Sequence, residues 1–304
     1  MNNALLAEFD RKHPGRDFDR GGGLKLRYLD EGSGDPVVMV HGNPTWSFYF
    51  RGLVEALSPT HRTIVPDHIG CGRSDKPGDD RYDYTLKSRV DDLEALLDHL
   101  GVDRGITLIV HDWGGMIGMA YAARHPGRIA RLVILNTAGF PLPVRKSFPL
   151  PLWICRNTPV GAALVRGGNA FCRIAARVCA KKKPLSAEAR EAYMAPYDSW
   201  DNRIAVLRFV QDIPLSPDDR AYPIVQGVAE KLPAFKDTPM LIGWGLKDFV
   251  FDRHFLDEWV RRFPNAEVHR FEDSGHYILE DRGEELTAAI LRFLAAHPVA
   301  QEVG

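Results

Sequence analysis

The sequence predicts an α/β fold: a mostly parallel central sheet, helices on both faces and an inserted helical cap. Three observations carry this. Short apolar, β-branched runs alternate with helical patterns along most of the 304 residues. That alternation stops between about Leu142 and Glu230, where helical patterns are joined by proline-containing turns. Strands then resume with Met240-Leu241-Ile242-Gly243. The expected organisation is a core in two parts, 1–141 and 231–304, interrupted by a cap at 142–230.

In chain order, strands are expected at Leu24–Asp30, Val37–Val40, Thr63–Pro66, Thr107–Val110, Arg131–Leu135, Met240–Gly243 and Ala266–Phe271. The clearest helix runs from Thr85 to Leu100. Leu86, Val90, Leu93, Leu97 and Leu100 make its apolar stripe, Thr85 supplies the N-cap and Gly101 the stop. Another helix is expected to begin near Met116. In the cap, Thr158-Pro159 reads as a helix start with proline at the first helical position. Phe171, Ile174, Ala175 and Val178 line one face, Pro184 ends that helix and Ser186 opens the next.

Composition bounds the function. The chain is 45 % hydrophobic and 26 % charged, as globular domains are. A net charge of −1 gives no reason to expect nucleic acid. Segment 142–230 holds 13 basic and 8 acidic residues, with Arg166, Arg173, Arg177 and Lys181 to Lys183 gathered on one side. That face reads as a solvated helix surface, or as a docking face for a protein or a membrane. The four cysteines, Cys71, Cys155, Cys172 and Cys179, lack zinc or redox spacing. Met1 to Glu8 do not read as a signal peptide, and no apolar run reaches spanning length, so a soluble cytoplasmic protein is expected.

The chemistry centres on Val110-His111-Asp112-Trp113-Gly114-Gly115, which follows the apolar run Thr107–Val110. The pattern resembles the nucleophile elbow of the α/β-hydrolases, with aspartate where serine is usual. A carboxylate is ionised near neutral pH and needs no base to become a nucleophile. On an ordinary ester it would form a mixed anhydride that reverts. On a saturated carbon bearing a good leaving group it forms a stable alkyl ester. Alkyl halides, epoxides and strained lactones are therefore the electrophiles expected.

Such an elbow needs a histidine and an orienting acid, in the chain order nucleophile, acid, histidine. Asp248 follows the strand at Met240–Gly243 and the turn Trp244–Lys247; His276 lies in Asp273-Ser274-Gly275-His276-Tyr277, after the last strand. Asp112, Asp248 and His276 are thus the candidate triad. Asn136 stands where some relatives of the fold carry the acid, which supports Asp248 in that role. In His41-Gly42-Asn43-Pro44-Thr45-Trp46, Asn43 supplies a backbone N–H beside the nucleophile, as does Trp113. Both also carry side-chain donors suited to an anion leaving from carbon. His41 and His111 are read as loop braces. Trp153, Phe171, Trp200 and Phe209 are read as cap core or pocket wall. Asp67 to Pro77 is a glycine turn, not a phosphate loop. No metal or organic cofactor is implied.

His41 to Thr45 with His111 to Gly115 resembles the haloalkane dehalogenase branch of the α/β-hydrolases, along nearly the whole chain. Epoxide hydrolases share the aspartate but add paired cap tyrosines, for which Tyr193, Tyr197 and Tyr222 are candidates. Asn43 to Arg51, Trp244 to Asp252 and Arg208 to Pro214 are more closely similar to the β-lactone decarboxylases of bacterial long-chain olefin biosynthesis. Where dehalogenase caps carry a Trp-Pro-Arg-like stretch, this chain has Phe209-Val210-Gln211-Asp212. The resemblance implies Asp112 as nucleophile, His276 and Asp248 as its partners, and Asn43 with Trp113 as anion donors. It implies a hydrophobic cis-3,4-dialkyl β-lactone as substrate, a cis-alkene and carbon dioxide as products, and work beside other olefin-pathway enzymes, at times as an assembly. Three routes stay open: attack of Asp112 on the ring carbon bearing oxygen, attack on the carbonyl, or stabilisation of positive charge without a covalent bond. The alternatives are a haloalkane dehalogenase, an epoxide hydrolase and a non-catalytic ligand-binding protein; the intact triad argues against the last.

Overall fold

The computed structural model describes residues 3–299; Met1 and Asn2 of the N-terminal stretch read above lie outside it. Eight strands form one sheet: β1 (Arg16–Gly21), β2 (Leu24–Glu31), β3 (Pro36–Val40), β4 (Arg62–Pro66), β5 (Ile106–Asp112), β6 (Ile129–Thr137), β7 (Met240–Gly245) and β8 (Glu267–Phe271). Their order is β1-β2-β4-β3-β5-β6-β7-β8, parallel from β4 to β8, with β1 and β2 antiparallel at one edge. Every residue of β5 is buried, because the sheet is covered on both faces. That is why Thr107–Val110 reads as a continuous apolar run and not as an alternation.

Strand β1 escaped the sequence reading. Arg16-Asp17-Phe18-Asp19-Arg20-Gly21 holds one apolar residue in a charged run, the composition of an exposed edge strand. Helix α1 (Ala4–Lys12) was also unexpected; it buries only Phe9. The flanking helices α2 (Arg51–Leu57), α3 (Leu86–His99), α4 (Trp113–Arg124), α11 (Arg253–Arg262) and α12 (Ile278–Ala296) cover the sheet. Helix α3 has the ends its sequence dictates: the Thr85 hydroxyl accepts from the Ser88 N–H, and Gly101 takes φ +65°. Helix α4 begins at Trp113, three residues before the expected start, since the elbow turns straight into it.

Between β6 and β7 the chain forms helices α5 (Leu150–Asn157), α6 (Pro159–Arg166), α7 (Ala170–Val178), α8 (Ala187–Met194), α9 (Ile204–Gln211) and α10 (Tyr222–Lys231). Thr158 caps α6 through the Gly161 N–H, and Ser186 caps α8 through the Ala189 N–H. Helix α7 ends at Val178, well short of Pro184. The cause is Asp281, whose carboxylate accepts the N–H groups of Lys181 and Lys182 at 2.9 Å and of Gly275 at 2.7 Å. These bonds draw the chain out of the helix and fasten it to the loop carrying His276. Trp153 and Trp200, read as cap core or pocket wall, are each about half exposed, and Ile174 is 56 % exposed. Trp200 stacks under Arg166 with the guanidinium 4.6 Å from the ring centre.

Replacing the cap residue of α3, Thr85→Ala, leaves the Ser88 N–H unpaired and should lower unfolding stability by about 1 kcal/mol. The check is a urea titration, in which the midpoint falls while the slope is unchanged.

Candidate active site

The C-terminal end of β5 delivers Asp112 at a turn so tight that its backbone takes φ 54° and ψ −127°, a region few non-glycine residues occupy. Close approach on both sides permits it. A Cβ on Gly42 would collide with the Asp112 carboxylate, and one on Gly114 with the Val40 carbonyl. The Thr137 hydroxyl donates to the Asp112 carbonyl and pins the turn to the end of β6.

Three sequence-distant groups meet there, each at most 6 % exposed. Asp112 Oδ1 accepts the Asn43 backbone N–H at 2.6 Å, and Asp112 Oδ2 lies 3.4 Å from His276 Nε2. On the far side of the imidazole, Nδ1 bonds Asp248 Oδ2 at 2.7 Å. Asp248 is saturated: Oδ1 accepts from Val250 and Phe251 N–H at 2.7 and 3.1 Å, and Oδ2 from Asn136 Nδ2 at 2.9 Å. The three sequence-predicted residues are therefore brought together in bonding order.

Burial opposes the charge on His276, but Asp248 and then Asp112 outweigh it and raise the imidazole to about 10. Burial likewise opposes ionisation of Asp112, yet His276 and the Asn43 N–H hold its carboxyl below the usual value. Both neighbouring carboxyl groups thus favour the protonated form of the imidazole.

His111 Nε2 donates to the His276 carbonyl at 2.8 Å; its other ring nitrogen is buried without a partner, and burial drives the imidazole down to about 3. His41 bonds the Gly42 carbonyl and receives the His68 N–H. Both rings engage backbone groups.

Asn43 has a further contact that its position in the sequence does not reveal. Its Nδ2 donates to the Val206 carbonyl of α9 at 3.1 Å, while Oδ1 is buried without a partner. The carboxamide thereby ties the site to the helical segment, with one N–H left over. Trp113 Nε1 makes no hydrogen bond among the described residues. Its ring packs on Phe209 at 5.3 Å, which is backed by the buried Arg89 guanidinium 3.6 Å from the Phe209 centre. Asn136, singled out in the sequence only as standing at an alternative acid position, binds both Asp248 and the backbone of Gly245; Asp281 is the positioning residue the sequence did not single out.

A cavity of about 430 Å³ opens above Asp112, with Asn43, Trp113 and His276 at its floor. Its walls are mainly apolar side chains of α5, α6, α7 and the Phe249–Phe251 loop, and Lys146 also lines it. No tyrosine lines it among the described residues: the Tyr193 hydroxyl bonds Glu280 and the Tyr197 hydroxyl bonds the Thr45 carbonyl. The paired tyrosines of an epoxide hydrolase are not presented here.

His276 holds its proton more tightly in the fold than at its free value of about 6.5. The stability this contributes is complete below about pH 6.5 and is lost as pH rises through about 10. Nitrogen-15 NMR of the imidazole should therefore show a protonated ring through neutrality, and Asp112→Asn should move its midpoint down by more than one pH unit. A midpoint near 6.5 in the unmodified chain would contradict this electrostatic picture.

Residues 35–283 match the family model described as alpha/beta hydrolase fold. The chain is 62 % identical to a cis-3-alkyl-4-alkyloxetan-2-one decarboxylase of Shewanella oneidensis, over 92 % of this chain and 88 % of that one. It is 50 % identical to a protein of the same name from Xanthomonas campestris pv. campestris, over 91 % of this chain and 94 % of that one. A solved haloalkane dehalogenase from Bradyrhizobium elkani superposes with a TM-score of 0.81 at 26 % identity, covering 90 % of this chain and 95 % of that one. The chain belongs to the cis-3-alkyl-4-alkyloxetan-2-one decarboxylase family, within the α/β-hydrolase fold.

Proposed function

We propose that this protein is a carboxy-lyase that converts cis-3,4-dialkyl β-lactones to cis-alkenes and carbon dioxide, with Asp112, His276 and Asp248 as its catalytic row. One observation carries the reading: the Asp112 carboxylate, held by the Asn43 N–H and 3.4 Å from His276 Nε2, faces an apolar cavity. The two decarboxylase relatives, named for cis-3-alkyl-4-alkyloxetan-2-ones, supply the substrate class.

The reaction needs only what this site holds. Asp112 attacks the ring carbon bearing oxygen, that C–O bond breaks and the ring opens to a carboxylate. The bond between the carboxylate carbon and its neighbour then breaks, its electron pair forming the alkene while the ester bond to Asp112 cleaves. Carbon dioxide leaves and Asp112 is regenerated. Inversion in the first step followed by anti loss in the second returns the cis-alkene from the cis-lactone. No water is consumed, and no proton is gained or lost. His276 accordingly acts as a fixed positive charge beside the two carboxylates that form and disappear, and Asp248 holds it in place. Trp113 Nε1–H and the Asn43 amide are the donors for the departing carboxylate. The segment 142–230 serves as the cap that keeps water from the site. Cytoplasmic location and assembly with the enzymes that supply the lactone belong to the same proposal.

Purified protein given a synthetic cis-dialkyl β-lactone and, in parallel, 1-bromobutane and 1,2-dibromoethane should release alkene and no halide. Asp112→Ala should abolish turnover while preserving the fold. Halide without alkene would make the chain a dehalogenase, and full activity in Asp112→Ala would remove Asp112 from the mechanism.

A further inference from the structure

From Trp113 to Ala187 the chain contains no aspartate or glutamate. Within that run, residues 144–183 carry nine lysines and arginines. The structure gathers this stretch into α5, α6 and α7 over the cavity. Four of the nine cations are paired with carboxylates from elsewhere: Lys146 with Asp252, Arg156 with Asp219, Arg166 with Asp201 and Lys182 with Glu285. Arg145, Arg173, Arg177, Lys181 and Lys183 have no ion pair among the described residues.

The same helices hold most of the large apolar side chains that the described residues leave open to solvent. Leu150 and Val160 are 67 % and 66 % exposed, and Trp153, Leu164 and Ile174 about half. Leu164 and Ile174 also line the cavity, so it opens through this apolar patch. Phe249, itself 42 % exposed, lines the cavity from the core side. An exposed apolar patch marks a surface that meets something apolar. The unpaired cations of this acid-free stretch specify that the partner is negatively charged.

We propose that α5 to α7 form an interfacial docking face, by which the protein rests on an anionic lipid bilayer with its cavity mouth toward the acyl chains. Leu150, Trp153 and Val160 enter the headgroup–acyl boundary, and Arg173 and Arg177 engage lipid phosphates. Among the described residues no helix is long and apolar enough to cross a membrane, so the contact is peripheral. A lactone with two alkyl chains would then pass from lipid to cavity without crossing water. That purpose rests on the substrate proposed above; the docking itself does not.

The test is flotation of the full chain with phosphatidylcholine vesicles, with and without phosphatidylglycerol. Association should require phosphatidylglycerol and weaken with salt. Arg173→Gln with Arg177→Gln should lower the partition coefficient at least about tenfold, and Leu150→Ser with Trp153→Ser should abolish association. Both double variants should turn over detergent-dispersed lactone as the parent does, while losing activity on lactone carried in vesicles. No association with anionic vesicles, or association that these substitutions leave unchanged, would overturn the docking face and favour a protein partner there. Vesicle association without turnover of dispersed lactone would overturn the substrate reading alone.

Discussion

The site depends on holding one ionised carboxylate at a strained turn inside an apolar cavity. A non-glycine residue at φ 54° costs on the order of 1–3 kcal/mol, and it persists only where its surroundings over-determine it. Here β3 and β6 grip β5 on both sides, Thr137 holds the Asp112 carbonyl, and Gly42 leaves room for the carboxylate. The charge is as constrained as the backbone. Burial alone would raise the Asp112 carboxyl; His276 and the Asn43 N–H outweigh it and hold the group below its usual value. Removing either support would shift the carboxyl group back toward its protonated form.

Support continues outward in layers. His276 is fixed through Nδ1 by Asp248 and through its carbonyl by His111, and Asp248 is fixed by two backbone N–H groups and Asn136. Asp281 then locks Gly275, next to His276, to the end of the helical segment above the sheet. Asn43 adds a second tie, to α9. The cover of the cavity and the polar groups beneath it are thereby one mechanical unit.

Much of this was legible in the sequence where local chemistry dictates local structure. The buried parallel strands read as apolar runs, Thr85, Thr158 and Ser186 announced their helices, and the elbow around Asp112 was visible from its spacing alone. The order Asp112, Asp248, His276 was enough to nominate the three residues that the fold brings together. What could not be read depends on contacts across the chain. Asp281 ends α7 from a hundred residues away, Val206 engages Asn43 from more than a hundred and sixty, and nothing local marks either. The edge strand β1 was hidden because exposure suits it to charge. Trp153 looked like core because aromatic residues usually are; its exposure follows from how α5 lies on the cavity, which periodicity does not specify.

The most direct test of the central claim is turnover of a cis-dialkyl β-lactone in water enriched in oxygen-18, with mass spectrometry of the peptide that contains Asp112. A hydrolytic cycle sends water onto the aspartyl ester and leaves heavy oxygen in the carboxylate. A decarboxylation returns Asp112 with its own two oxygens. After many turnovers with alkene released, an Asp112 peptide of unchanged mass is the expected result. A gain of heavy oxygen in step with turnover would contradict the account and put water, activated by His276, back into the mechanism.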